Sequence, residues 1–197
     1  MISIIIPSKN RHNFLKRIIK YYSGIDEKFE LIIVDSSKKK FHIKNKKSKI
    51  KLKIYHKPKL DPFDAMYYGA KKSTSEFVIY SGDDDFIMIK AAVKAANFLK
   101  KNKKFSAVLG KSLVFFIKNN SCYGEVVRCE EYVQNENKSN SQINRIETFF
   151  NKYNVNLFSV CRKNIFLKSL DIARIFKSNY SLKAEIVICF GIIFFGK

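Results

Sequence analysis

Glycine and proline are scarce, 7 and 3 residues in a chain of 197. That excludes collagen-like and low-complexity sequences. Acids are also few: 17 Asp and Glu stand against 38 Lys and Arg, a formal charge of +21. Arginine is scarcer still, 6 residues against 32 lysines. The guanidinium fork is the usual reader of base edges and phosphates, so this basicity suits a nucleic-acid binder poorly. No basic helix with interleaved base-reading residues and no stacking platform stands out either. Cys122, Cys129, Cys161 and Cys189 form no C-x-x-C pair and lie near no histidine at zinc spacing. They read as plain thiols of a reducing cytosol. The longest apolar run, residues 186–195, is about half a membrane span. Met1-Ile2-Ser3-Ile4-Ile5-Ile6-Pro7 lacks a basic n-region and an adequate h-region, so no signal peptide is expected. G-x-G-x-x-G after a strand, G-x-S-x-G and H-E-x-x-H are all missing, which argues against dinucleotide oxidoreductases, α/β-hydrolases and zincins. Gly191 to Lys197 spells G-x-x-x-x-G-K, but it lacks the Ser/Thr and its interior is apolar, so it is no phosphate loop.

What is present is apolar enough to fold. Hydrophobic residues make up 46 % of the chain, too many for a disordered basic tail. Its length suits one domain. Residues 2–6 and 31–34 are short continuous apolar runs, as in strands buried on both faces of a parallel sheet. Residues 12–22 place Phe14, Leu15, Ile18, Ile19 and Tyr22 on one helix face, with Lys16, Arg17 and Lys20 on the other. Ile50, Leu52 and Ile54 alternate with lysines, which predicts a strand with one wet face. Helices are expected over 61–72 and over 87–101, the second packing through Ile87, Ala91, Ala95, Phe98 and Leu99. A strand over 77–80 lies between them. Beyond this alternating α/β part, 105–117 and 123–132 read as antiparallel strands. Helices are expected near 143–153, 164–176 and 182–195, and a strand near 157–161. Residues 38–59 hold 11 lysines and no acid, about half of the net charge. This segment is either a solvated loop or a surface for anionic lipid.

In open α/β sheets ligands bind beyond the carboxyl ends of the strands. Three such ends carry polar chemistry here: Pro7-Ser8-Lys9-Asn10-Arg11, Asp35-Ser36-Ser37 and Gly82-Asp83-Asp84-Asp85. If the strands are parallel, all three meet on one rim. Consecutive carboxylates repel one another and are tolerated when solvated or neutralised by a cation. Oxygen ligands select a hard ion, Mg²⁺ or Mn²⁺, which Asp83 and Asp85 could share. The alternative is an acidic cap on the following helix. Asp35 reads either as a turn residue or as an acceptor for a base or ribose. Arg11 could meet a phosphate or the acidic cluster, or be a plain surface residue.

Ile2-Ser3-Ile4-Ile5-Ile6-Pro7-Ser8-Lys9-Asn10-Arg11, Ile32-Ile33-Val34-Asp35-Ser36-Ser37 and Glu76-Phe77-Val78-Ile79-Tyr80-Ser81-Gly82-Asp83-Asp84-Asp85-Phe86 resemble the family 2-like glycosyltransferases of the GT-A fold. More narrowly, the chain resembles a subfamily with an Asp-Asp-Asp-Phe segment. That subfamily has a later segment like Phe158-Ser159-Val160-Cys161-Arg162 and a helix ending as at Gly196-Lys197. The resemblance implies an α/β fold, an open, mostly parallel sheet flanked by helices. A nucleotide-sugar-binding half over 1–104 would precede an acceptor-side half over 105–197. It implies inverting transfer of a sugar from a nucleotide-diphosphate donor to an acceptor hydroxyl, a glycan or lipid-linked one, in cell-surface polysaccharide or glycolipid synthesis. Pro7, Ser8 and Arg11 would line the nucleotide pocket and Asp35 would face the base. Asp83 and Asp84 would hold the ribose, with Asp83 and Asp85 on Mn²⁺ or Mg²⁺ at the diphosphate. Of Glu130, Glu131, Glu147, Asp171 and Glu185, the resemblance favours Glu185 as catalytic base, with Glu147 next. The enzyme would be cytoplasmic, with peripheral attachment to an anionic inner membrane face as a candidate property. The chain departs from the family at Asp35-Ser36-Ser37, which lacks a second acid and a glycine, and at Tyr67-Tyr68-Gly69. A sugar-nucleotidyltransferase would need a glycine-rich loop after the first strand, which Pro7-Ser8-Lys9-Asn10 is not. A shortened, inactive transferase-like partner is the other alternative, because transferases of this fold are usually longer.

Overall fold

The computed structural model describes residues 1–43, 50–175 and 181–197. Lys44, Lys46, Lys47 and Lys49 of the lysine-rich segment lie outside the described residues, as does Phe176 at the expected end of a helix. In chain order the elements are β1 (Ile2–Ser8), α1 (His12–Ser23), β2 (Glu30–Asp35), β3 (Lys51–His56), α2 (Pro62–Lys72), β4 (Phe77–Tyr80) and α3 (Ile89–Lys101). Then follow β5 (Ala107–Val108), β6 (Ser112–Ile117), β7 (Val126–Tyr132), α4 (Gln142–Asn151), β8 (Val160–Arg162), α5 (Lys163–Ile175) and α6 (Ser181–Phe195).

The main sheet has the order β3-β2-β1-β4-β8-β5. β1 to β4 are mutually parallel, while β8 runs antiparallel to both β4 and β5. Period-2 alternation splits the apolar strands between two cores. Ile2, Ile4 and Ile6 face Leu15, Ile18 and Tyr22 of α1 and Ile89 and Leu99 of α3. Ile5 and Val78 face Met66 and Ala70 of α2, Phe166 and Leu170 of α5, and Ile188 of α6. Both faces are covered, so β1 and β2 are apolar along nearly their whole length. Gly69 brings α2 against the sheet: a Cβ there would lie 2.6 Å from Ile5 Cγ2. Asp61 caps α2 by accepting the N–H groups of Phe63 and Asp64.

Four expectations need correction. α3 begins at Ile89 and buries Leu99 as expected, but its other buried positions are Ile89, Ala92 and Ala96; Ile87 and Ala95 are only partly buried, and Ala91 and Phe98 are exposed. Ile87 is held outside the helix because its N–H donates to the Tyr22 hydroxyl and its carbonyl accepts from the Tyr21 hydroxyl. The single strand expected over 105–117 is two: β5 joins the main sheet, whereas β6 pairs with β7 in a separate hairpin. The strand near 157–161 starts later, since Asn156–Phe158 form a 3₁₀ turn. Arg17 is buried, not on the wet face of α1 with Lys16 and Lys20. The apolar α6 packs through Ile188, Cys189 and Ile192. Among the described residues no helix is long and apolar enough to cross a membrane.

Candidate active site

Because β1, β2 and β4 are parallel neighbours, their carboxyl ends do form one rim. At the end of β1, Asn10 adopts φ 60°, a left-handed conformation that asparagine tolerates. This turn swings Arg11 back over the rim, and the Asn10 N–H donates to Ser37 Oγ beyond β2 at 2.7 Å. Ser8 Oγ donates to Asp83 Oδ2 at 2.6 Å. The Arg11 guanidinium, stacked 3.9 Å from the centre of the Phe14 ring, pairs with Asp83 Oδ1 and Asp84 Oδ2, each at 2.9 Å. Of the readings open for Arg11, the structure shows the pairing with the acidic cluster.

The three aspartates differ in setting. Asp83 is buried, 3 % exposed, and desolvation pushes its pKa up, against the Ser8 hydrogen bond and Arg11. Burial likewise raises Asp85, against the Gly82 N–H that donates to its Oδ2 at 3.0 Å. Asp84 is exposed and held by Arg11. Gly82 is needed for this close packing, since a Cβ would lie 2.7 Å from Asp85 Oδ2 and 2.8 Å from Asp84 Oδ1. Among the described residues no three His, Cys, Asp or Glu converge as a metal cage. The buried Asp83 and the half-buried Asp85 still fit a Mg²⁺-like ion, which takes one or two carboxylates and completes its shell with waters and phosphate oxygens. A nearby cation would favour the charged forms and so offset the desolvation that raises both groups.

Beside the rim lies an open cleft of about 680 Å³. Its walls are residues 10–14, the loop 37–39 after β2, and Cys122 from the turn between β6 and β7. Lys38 and Lys39 give its wall positive charge suited to an anionic ligand, while Arg11 is shared with Asp83 and Asp84.

The remaining expected residues are placed as follows. Pro7 is half-buried within β1, in register with Val34, and does not line the cleft. Asp35 sits on the rim but is fully buried, and its two oxygens accept the N–H groups of Ser37 at 3.0 Å and Phe41 at 2.9 Å. It therefore shapes the loop of the cleft, as in the turn reading. Glu185, on α6, accepts the Tyr153 hydroxyl at 2.9 Å. Tyr80, at the end of β4, packs against Phe158 and lies within the field of both the rim aspartates and Glu185. Burial raises the Tyr80 phenol, and Asp85, Asp84, Asp83 and Glu185 raise it further. Glu147 faces a separate depression of about 370 Å³ formed along α4. Glu130 and Glu131 pair with Arg128 and Lys111 on the hairpin, and Asp171 with Arg174.

Sequence reasoning missed Tyr80, Tyr153, Arg17 and Cys122. Tyr80 was open to detection, because it directly precedes the acidic strand end. The other three are brought in by helix and hairpin packing that leaves no local pattern.

The same order of parts is found in known proteins. The sequence model for glycosyl transferase family 2 matches residues 3–171, from β1 into α5. No curated protein matches the chain. Among solved structures, S. aureus TarS residues 1–349 superposes with a TM-score of 0.56 at 16 % identity, over 98 % of this chain and 55 % of that one. The structure of TarS 1–349 in complex with UDP-GlcNAc gives 0.53 at 20 % identity, over 87 % of this chain and 47 % of that one. The chain thus spans about half the length of those structures, and at such identities the likeness shows a shared, GT-A-like fold. With the family match running over most of the chain and the rim built on the ends of β1, β2 and β4, this protein belongs to glycosyl transferase family 2.

Proposed function

We propose that the protein is an inverting, metal-dependent glycosyltransferase that moves a sugar from a nucleotide-diphosphate donor to an acceptor hydroxyl. The observation that carries this reading is the network of Ser8, Arg11 and Asp83, with Asp84 and Asp85 in the same turn, beside an electropositive cleft. TarS, whose fold this chain resembles, has been crystallised with UDP-GlcNAc. That supports a nucleotide sugar as ligand and makes uridine diphosphate sugars the first donors to test.

In this proposal residues 1–104 bind the donor and residues 105–197 serve the acceptor. Arg11, Lys38 and Lys39 meet the diphosphate, and Asp83 and Asp84 the ribose. Asp83 and Asp85 would hold Mn²⁺ or Mg²⁺, which when bound stabilises negative charge on the departing diphosphate as a Lewis acid. Asp35 acts through the loop it holds. Glu185 takes the proton of the attacking hydroxyl, as inversion requires of a base on the acceptor side. Tyr153 keeps that carboxylate oriented. Phe86, which packs against Tyr21, completes the Asp-Asp-Asp-Phe segment of the proposed subfamily. The acceptor is a glycan or a lipid-linked sugar of cell-surface polysaccharide or glycolipid synthesis. The lysines of residues 38–59 would draw the protein to the anionic inner face of a membrane, at about 1 kcal/mol per lysine near the surface.

A donor-hydrolysis screen over nucleotide sugars with Mn²⁺ and Mg²⁺ tests the reading. Hydrolysis of at least one donor, dependent on the ion, is expected; no hydrolysis and no nucleotide binding would refute it. Glu185→Gln should still bind the donor and lose transfer.

A further inference from the structure

Arg17 is 9 % exposed, yet among the described residues it makes no direct ion pair with a carboxylate. Its guanidinium donates instead to two backbone carbonyls from distant parts of the chain. Nη1 donates to Cys122 O at 2.6 Å and Nη2 to Asp84 O at 3.2 Å. Phe14 and Phe86 flank it, with ring centres 4.8 and 5.0 Å from Cζ. Its Nε is buried without an acceptor. Burying a cation this way is costly, so the arrangement needs a reason.

The two carbonyls belong to two parts of the site. Asp84 lies within the carboxylate turn, and Cys122 is the hairpin's contribution to the cleft wall. Among the described residues the strands β6 and β7 hydrogen-bond only within the hairpin. Every residue of β7 is exposed, and Phe115 stacks on Phe86 at 6.2 Å. A two-stranded ribbon is marginal on its own. A rigid planar fork can bridge two acceptors at a fixed separation, which the point charge of a lysine cannot.

We propose that Arg17 is a positioning residue that clamps the β6–β7 turn to the carboxylate turn, fixing the outer wall of the cleft relative to Asp83, Asp84 and Asp85. Its consequence for donor binding rests on the function proposed above. The charge of Arg17 also opposes the desolvation of Asp83 and Asp85.

The test compares wild type, Arg17→Met and Arg17→Lys by iodoacetamide labelling without ligand, with each cysteine followed by mass spectrometry. Cys161 and Cys189 are buried in the core and report general loosening, while Cys122 reports the wall. Loss of a charge-assisted hydrogen bond should speed Cys122 labelling about tenfold in Arg17→Met. Arg17→Lys should fall between the two, with Cys161 and Cys189 unchanged in both. Calorimetry with UDP and Mn²⁺ should show binding weakened about tenfold in Arg17→Met and partly restored in Arg17→Lys. Wild-type Cys122 rates in both variants would overturn the clamp, as would Cys161 and Cys189 accelerating alongside Cys122. If Arg17→Met does not fold, Arg17→Lys alone decides, by its Cys122 rate against the core cysteines. Should wild type bind no nucleotide diphosphate, the functional reading fails and the labelling still judges the clamp.

Discussion

The two ends of the parallel strands each carry acids and bases, and the physics runs in opposite directions. At the amino end, Glu30 is fully buried, which alone would raise its pKa, yet its partners bring it down to about 2. Lys53 lies 2.7 Å away, Ser3 Oγ donates at 2.6 Å, the Thr74 N–H donates at 3.0 Å, and Lys51 stands at 3.3 Å. This carboxylate ties β1, β2, β3 and the loop leading into β4 together. At the carboxyl end, Asp83 and Asp85 are raised because their partners fall short of offsetting burial. A compensated buried acid stabilises the fold. An under-compensated one costs stability, which in the function proposed above a bound cation would offset.

The contrast predicts opposite mutational outcomes. The largest effect is expected for Asp85→Ala, which should cut metal-dependent donor hydrolysis at least about 100-fold, as read in a steady-state assay. Glu30→Gln leaves two lysines facing a neutral group and should cost about 3 kcal/mol, a fall in Tm of roughly 6–12 °C. Its affinity for UDP at 20 °C should match wild type. Asp85→Asn should do the reverse and raise Tm by about 2–4 °C while abolishing ion-dependent binding. A fall in Tm there would break the comparison.

The pH dependence carries the same signature. Glu30, lowered when folded, contributes stability that is complete above its unfolded value of 4.5 and lost as pH falls toward about 2. Asp83 and Asp85, raised when folded, act in the opposite sense. Their ionisation costs stability, and that cost disappears on acidification. Denaturant melts across this window should therefore show a shallower acid slope in Glu30→Gln and a steeper one in Asp85→Asn. The smallest effect is expected for Gly82→Ala. The added methyl must push the Asp84 and Asp85 carboxylates aside, weakening UDP–Mn²⁺ binding about tenfold with little change in Tm.

Much of the architecture of residues 1–104 was legible because its signals are local. The short continuous apolar runs of β1 and β2 pointed to strands covered on both faces, and parallel pairing then places Ser8, Asp35 and Asp83 on one edge. Asp61 and Pro62 announced α2. What was not legible depends on contacts distant in sequence. An arginine between Lys16 and Lys20 looks solvated until Phe86 and the hairpin turn close over it. The division of 105–117 at Gly110 between two sheets has no periodic signature, since both pieces are apolar. Asp35 sits where a base-reading acid would, and its engagement by the Ser37 and Phe41 amides follows from a loop whose shape no spacing encodes. Glu185 was singled out by resemblance; its hydrogen bond from Tyr153 emerged from packing.

The central claim is that the carboxyl-end rim binds a nucleotide diphosphate together with a divalent ion held by Asp83 and Asp85. Its most direct test is calorimetric titration of wild type and Asp85→Asn with UDP, with and without Mn²⁺. The account predicts binding by wild type that strengthens at least about tenfold with Mn²⁺, and no such gain in Asp85→Asn. Equal affinity with and without the ion, or an undiminished gain in the variant, would contradict it.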